Sequence, residues 1–322
     1  MRQAYRLLLE TFAVLLALAT AAAAQDYPTK PVRLIIPFPP GGSNDLVGRM
    51  VATQLGERLG KQVVVDNRGG AGGVIGTEVA ANAAPDGYTL LVISLAYTVN
   101  PWLYKLKYDP INAFVPVAML ASGPNVLTVH PSVPVNSVAE LIALAKQKPG
   151  DLNYASAGAG SFQHLGSELF KMMAGVDIVH VPFKGGGPAM IDVVGGHSQV
   201  LFSSLVQTMP HIRSGKLKAL GVGSVKRAAV LPDVPTIAEA GVPGYTAANW
   251  WGIVAPAGTP QAIVDKLYAE ITVVLSSPET QKQFSSEGAE VVQKSPAELK
   301  EHIAAELAKW QQVVADAKIK KE

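Results

Sequence analysis

Apolar runs and amphipathic stretches alternate along this chain. Val32–Phe38 is a run of strand formers. From Asn44 to Leu59, the residues Leu46, Met50, Val51, Leu55 and Leu59 fall on one helical face, and Gly60 ends the pattern. Val63–Val65 reads as a short buried strand. A glycine-rich turn at 69–73 leads into a helix through Ala84, and Pro85-Asp86-Gly87 turns the chain into a strand at 88–93. A second alternation begins near Asn125, with strands at 125–130, 152–156, 178–181, 199–203 and 217–222 and helices at 137–148, 162–173 and 186–194. After a Pro-rich turn at 231–235 come a strand at 250–255 and helices at 260–276, 278–285 and 296–316. Ser295 and Pro296 give the last helix a cap and a first-turn proline. Such alternation predicts an α/β fold of two lobes, each a mostly parallel sheet flanked by helices, with ligands at the carboxyl ends of the strands. We expect a discontinuous first lobe, residues 25–124 plus 247–322, and a second lobe, residues 125–246, joined by crossovers near 120–126 and 222–250.

One unit within this pattern occurs twice: strand, loop of small residues, helix start. The first copy runs from Val32–Phe38 through Pro39-Pro40-Gly41-Gly42-Ser43 to Asn44 and Asp45. The second runs from Leu152–Ser156 through Ala157-Gly158-Ala159-Gly160-Ser161 to Phe162. The first backbone N–H groups of a helix have no partner within it, so each unit can receive an anion on peptide dipoles, without Lys or Arg. Two of them suggest two lobes gripping one acidic ligand. Gly41, Gly42, Gly158 and Gly160 are the expected backbone anchors, with hydroxyl contacts from Ser43, Ser156 and Ser161. His164 lies one turn into its helix and could reach a carboxylate or simply pack.

Other features are less specific. Asp66–Gly70 reads equally as a ligand loop or as a turn in which Asp66 and Arg68 pair, and Asp86-Gly87-Tyr88 reads as a turn. Of Trp250 and Trp251 in the returning strand, one is expected to face the core and one the cleft. Lys184, ahead of Gly185-Gly186-Gly187, is by default a solvated lysine.

The chain has 322 residues, 48% of them hydrophobic, enough for a large core and more consistent with two lobes than one. Met1–Ala24 has basic residues Arg2 and Arg6, an apolar stretch from Phe12 to Leu18 and the run Ala21–Ala24, and reads as a secretory signal cleaved after about Ala24. The alternative, a membrane anchor, is disfavoured by the short apolar stretch and by Glu10. The formal net charge is +2; removing residues 1–24 takes away Arg2, Arg6 and Glu10 and leaves +1. The one basic cluster, Lys318–Lys321, is a C-terminal tail, so nucleic acid is not an expected partner. The absence of Cys excludes disulfides, thiol chemistry and a lipid-modified cysteine.

Enzyme motifs fail when tested. Gly158-Ala159-Gly160 has Gln163 where a dinucleotide fingerprint needs glycine, and Gly60-Lys61 lacks the frame of a P-loop. Ser156 has Tyr154 where a nucleophile elbow needs glycine. No two of the six His stand at i and i+4. No catalytic residue, metal or cofactor is therefore expected.

Ten stretches in order carry a resemblance. They include Tyr27-Pro28-x-Lys30-Pro31, Pro37-Phe38-Pro39-Pro40-Gly41-Gly42-x-x-Asp45, Asn67-Arg68-x-Gly70-Ala71-x-Gly73 and Pro85–Leu90. Further along come Tyr154–Ser161, His180–Gly185, Ser214–Leu220, Leu231–Glu239 and Ala255–Pro260. Together they resemble the Bug-type solute receptors of tripartite tricarboxylate transporters. The resemblance implies a periplasmic-binding-protein-like fold that closes by a hinge on a small mono- or dicarboxylate, aromatic ones included. It also implies a monomer in the periplasm that delivers its ligand to membrane permease subunits. A sensor docking on a signalling protein and an exported enzyme using the same cleft are the alternatives. The family holds the carboxylate between the loops matching Pro39–Ser43 and Ser156–Ser161, which draws in Phe38, Pro40 and Ala157. Tyr97, Phe162, Phe183, Lys184, Ser203 and Gln207 are then candidates around the rest of the ligand. Where the family often has Asp, this chain has Gln199 and Ser203, which disfavours an ammonium-bearing ligand. Phe183 stands where Tyr is frequent.

Overall fold

The computed structural model describes residues 27–316; the predicted signal segment and the basic tail lie outside them. The first lobe opens with β1 (Val32–Ile36), α1 (Ser43–Leu59), β2 (Val63–Asn67), α2 (Val74–Ala81), β3 (Thr89–Ser94) and α3 (Leu95–Leu103). The 16-residue strand β4 (Phe114–Val129) then crosses into the second lobe. That lobe holds α4 (Val138–Gln147), β5 (Asn153–Ser156), α5 (Phe162–Ala174), β6 (Val179–Pro182), α6 (Gly186–Val194), β7 (Val200–Ser204), α7 (Leu205–Arg213) and β8 (Lys218–Val222). The chain returns along β9 (Ala248–Pro256) and ends with α8 (Gln261–Ser276), α9 (Pro278–Ser286), β10 (Glu290–Lys294) and α10 (Pro296–Asp316).

β1 pairs in parallel with β2 and β3, and β5 in parallel with β6 and β7. The crossover strands pair antiparallel instead: β9 with β3 and β4, and β4 with β10, β7 and β8. The sheet is thus mixed, parallel only in the outer strands of each lobe. A parallel connection needs a crossover helix, whereas β4 and β9 run directly from one lobe to the other in opposite directions.

The central strands of the first lobe, β1, β3 and β9, are buried on both faces. Leu34, Ile36, Leu90, Val92, Trp251 and Ile253 face α1 and α8. Ile35, Leu91, Ile93, Trp250 and Val254 face α2, α3 and α10. Because both faces are covered, apolar side chains occupy successive positions as well as alternate ones, so these strands read as nearly continuous apolar runs. Leu127, Val129, Tyr154, Val200 and Phe202 pack with α4 and α5 in the second lobe. Between the lobes three crossing segments join through the backbone. Asn125 N–H donates to Ala247 O, Gly223 N–H to Asn125 O and Ala247 N–H to Gly223 O, at 2.8–3.1 Å. Asn125 Nδ2 also donates to the Tyr245 hydroxyl (2.8 Å), which donates to Gly166 O (3.0 Å).

Candidate functional site

The carboxyl ends of the strands lead, as expected, into helix starts that face each other across the lobes. The starts of α1 and α3 come from the first lobe and those of α5 and α6 from the second. Phe38, Gly42, Ser43, Asn44, Ser94, Ala96, Ala157, Ser161, Phe162, Gln163, Gly186 and Asn249 surround what space remains, a void of about 20 Å³. That is room for about one water molecule. The lobes are closed: a Cβ added to Gly187 would stand 2.4 Å from Pro40 O, and the Tyr104 hydroxyl donates to Ala159 O across the gap at 3.0 Å. No side chain lining the void is ionisable, so its attraction for an anion comes from peptide dipoles and neutral donors.

Hydrogen bonding inside the loops revises the expected anchors. The amide of Gly41 donates to Asp45 Oδ2 (3.0 Å), that of Gly158 to Ser156 Oγ (3.1 Å) and that of Gly160 to His164 Nδ1 (3.3 Å). These three N–H groups are therefore engaged within the loops. Gly41 and Gly158 instead supply the left-handed backbone of the turns, with φ of +81° and +105°. The donors left for a ligand are those of the first helical turns, at Ser43 and Asn44 in α1 and at Phe162 and Gln163 in α5. Ser156 also belongs to the loop itself, with Oγ 2.6 Å from His180 Nε2. Ser161 caps α5 by accepting from His164 N–H (3.3 Å), which leaves its own proton to donate.

The first loop is braced from below by Asp45, which is buried. Its Oδ1 accepts from Arg49 Nε and from Asn67 Nδ2, both at 2.9 Å, and Asn67 Nδ2 also donates to Phe38 O (2.9 Å). Asn44 links α1 to both neighbours, donating to Ser94 Oγ (3.1 Å) and accepting from Trp251 Nε1 (2.9 Å). On the second lobe, Ser203 is buried away from the void and donates to Gln207 Oε1 (3.1 Å); Gln207 Nε2 donates to Gly186 O (2.6 Å). Gln199 sits at the opposite end of β7, where its side chain accepts from Asn153 N–H.

Several expected site residues lie elsewhere. Tyr97 turns into the core, stacked on Tyr108, with its hydroxyl donating to Pro110 O (2.6 Å). His164 faces back onto its loop. Phe183 and exposed Lys184 line an outer vestibule of about 360 Å³ with Ala71, Gly72, Tyr104 and Ala157–Ala159. Neither tryptophan of β9 lines the void; Asn249 does, with Oδ1 accepting from Leu95 N–H (3.3 Å). Asp66 pairs with Arg33 and Arg68, so the Asp66–Gly70 loop is a structural turn.

Beneath the second loop, Tyr154, His180 and His164 form a stack with ring centroids 4.8 and 4.5 Å apart. Glu168 accepts from the Tyr154 hydroxyl (2.6 Å) and from Lys171 (2.9 Å). Burial, helped by His164, pushes His180 down from 6.5 to about 4. Between these values the unfolded chain binds more protons than the folded one. The stabilisation linked to neutral His180 is therefore complete above pH 6.5 and declines as pH falls toward 4. Calorimetric scans at pH 7 and pH 5 should show His180→Gln losing roughly 2–4 °C less than the unsubstituted protein. His211 and His302, which burial also lowers, are common to both proteins and cancel.

A sequence profile described as "Tripartite tricarboxylate transporter family receptor" matches residues 47–319. The chain belongs to this receptor family. Among its curated relatives, the protein BugT of Bordetella pertussis is 39% identical over 308 residues, covering 94% of each chain. Among solved structures, the periplasmic binding protein BugD is 35% identical with a TM-score of 0.89, covering 92% of this chain and 100% of its own. An R. palustris protein solved with adipate is 38% identical with a TM-score of 0.90, covering 92% of this chain and 100% of its own. MatC from Rhodopseudomonas palustris, solved with malate, is 34% identical with a TM-score of 0.84, covering 89% and 100%. Membership makes the chain a solute-binding receptor of the periplasmic-binding-protein fold. Among the described residues, no helix is long and apolar enough to cross a membrane.

Proposed function

We propose that this receptor captures a small, non-amino mono- or dicarboxylate in the periplasm and delivers it to the membrane subunits of a tripartite tricarboxylate-type transporter. The observation that carries this reading is the convergence of helix starts from both lobes on a void with no ionisable side chain. The adipate and malate bound by two relatives agree with it. Ser43, Ser161, Gly42, Ala157 and the first-turn amides of α1 and α5 hold one carboxylate. Phe183 and Lys184 meet the part of the ligand that extends into the vestibule. In the closed form the void holds about one water, so ligand entry requires the lobes to part and then reclose. The moving bodies are residues 25–124 with 247–322 and residues 125–246. This division is supported by the change of β4 partners near Asn125 and by the start of β9 at Ala248.

Ser43 Oγ makes no hydrogen bond within the described protein, so Ser43→Ala removes a ligand contact and little else. Isothermal titration with adipate and malate should give binding by at least one of them, weakened about tenfold by Ser43→Ala and by Ser161→Ala, as expected for a hydroxyl bonded to a charged group. Aspartate should not compete, because no carboxylate lines the void to receive its ammonium group. Unchanged affinity in both serine variants would remove this site, and tight aspartate binding would overturn the ligand class.

A further inference from the structure

Beside the cleft lies a larger chamber of about 490 Å³, enclosed by α5, the segment Thr246–Trp250, β10 and α10. Phe162 and Asn249 form the wall it shares with the cleft. Its size falls in the range of small-molecule sites. Its body is apolar, with Leu165, Leu169, Met172, Val292 and Trp310 around Trp250.

The polar groups in this lining are unevenly matched. Trp250 is 4% exposed, and its indole N–H has no hydrogen-bond partner; neither has the buried Nε2 of His302, whose ring stands edge-on to Trp250 at 4.8 Å. A buried unpaired donor costs the full desolvation of that group, so each such case calls for a partner. The acids of the lining are already engaged. Glu168 is held by Tyr154 and Lys171, and Glu306 by Lys309 (3.3 Å) and Trp310 Nε1 (3.0 Å). Lys294, by contrast, makes no close ion pair among the described residues, although Glu298 and His302 both feel its charge. An unmatched indole N–H, an imidazole nitrogen without a partner and a lysine without a close ion pair, set around an apolar, aromatic interior, select a ligand with an apolar body and an acidic head.

We infer that this chamber is a second binding site, taking an amphipathic monoanion whose aromatic or aliphatic body packs against Trp250 and Trp310 and whose acidic head meets Trp250 N–H, His302 and Lys294. Because α5 belongs to the second lobe and β9, β10 and α10 to the first, a ligand here contacts both lobes.

The test is titration of the whole mature protein with 2-naphthoate, read by calorimetry and by tryptophan fluorescence. Leu169→Trp fills the chamber, Lys294→Gln removes the cation at its half-buried position, and Trp250→Phe removes the N–H while keeping a ring. We expect 2-naphthoate to bind, Leu169→Trp to abolish binding, and Lys294→Gln and Trp250→Phe each to weaken it about tenfold. Ser43→Ala and Ser161→Ala should leave it unchanged. No binding up to millimolar 2-naphthoate would overturn the site. Binding lost in the serine variants but kept in Lys294→Gln would place the probe in the cleft, overturning the second site while supporting the first. Lys294→Gln tests the proposal even if the interior variants fold poorly.

Discussion

Gly187→Ala is expected to raise the dissociation constant for the carboxylate by about ten- to a hundredfold. The new Cβ would stand 2.4 Å from Pro40 O, a backbone atom of the opposite lobe that cannot swing aside. Relieving such a clash costs roughly 1–3 kcal/mol, and the cost falls on the closed form alone. An affinity that depends on the closed population drops in proportion to it. The substitution also has a local cost, since an alanine ahead of Pro188 is disfavoured in a helical turn. That cost burdens open and closed forms alike, so it appears in the melting temperature and not in the affinity. Small-angle scattering without ligand should show a more extended particle than the unsubstituted protein. Affinity within twofold of the original, with unchanged scattering, would mean that the Pro40–Gly187 contact is not part of the ligand-holding state.

Much of this architecture is legible in the chain. Lone glycines and prolines mark the turns, and one-faced apolar spacing marks α1, α4 and α5, so these elements fall within a residue or two of expectation. The misses have particular causes. α3 carries Pro101 in its interior and is buried at almost every position, so it has neither a polar face nor a clean stop. α7 carries Pro210, and β10 is a short edge strand with a register shift. At the site, the Gly/Ser loops were readable because their composition serves one backbone shape. Asn44, Ser94, Gln163 and Asn249 were not, because a polar residue inside an element has no local signature and acquires its role only when distant segments meet. The engaged amides of Gly158 and Gly160 were hidden for a related reason: the acceptors are the side chains of Ser156 and His164, and sequence does not say which way those turn. The two tryptophans show the same limit. The alternation of β9 correctly separates their faces, but both faces are core.

Asp45→Ala tests which of two opposed effects governs the first loop. The carboxylate sits in the first turn of α1, close to the amides proposed to receive an anion. By charge alone its removal should strengthen anion binding, since a charge at a helix start is worth about 0.3–1 kcal/mol. Its hydrogen bonds argue the other way. Asp45 accepts from Gly41 N–H, Arg49 and Asn67, and Asn67 in turn holds Phe38 O. Deleting the carboxylate takes the acceptor from Gly41 N–H, Arg49 and Asn67 and releases Pro39–Ser43 from its brace. Hydrogen bonds to a charged group contribute about 1.5–3 kcal/mol each, more than the charge term returns. The expected result is therefore a fall in the melting temperature of several degrees together with an affinity loss of about tenfold or more. Asp45→Asn keeps an oxygen for Gly41 N–H while removing the charge, so it should retain more of both. If Asp45→Ala instead bound the carboxylate more tightly, the charge would outweigh the brace. The loop would then hold its shape through Pro39, Pro40 and the contact with Gly187 alone.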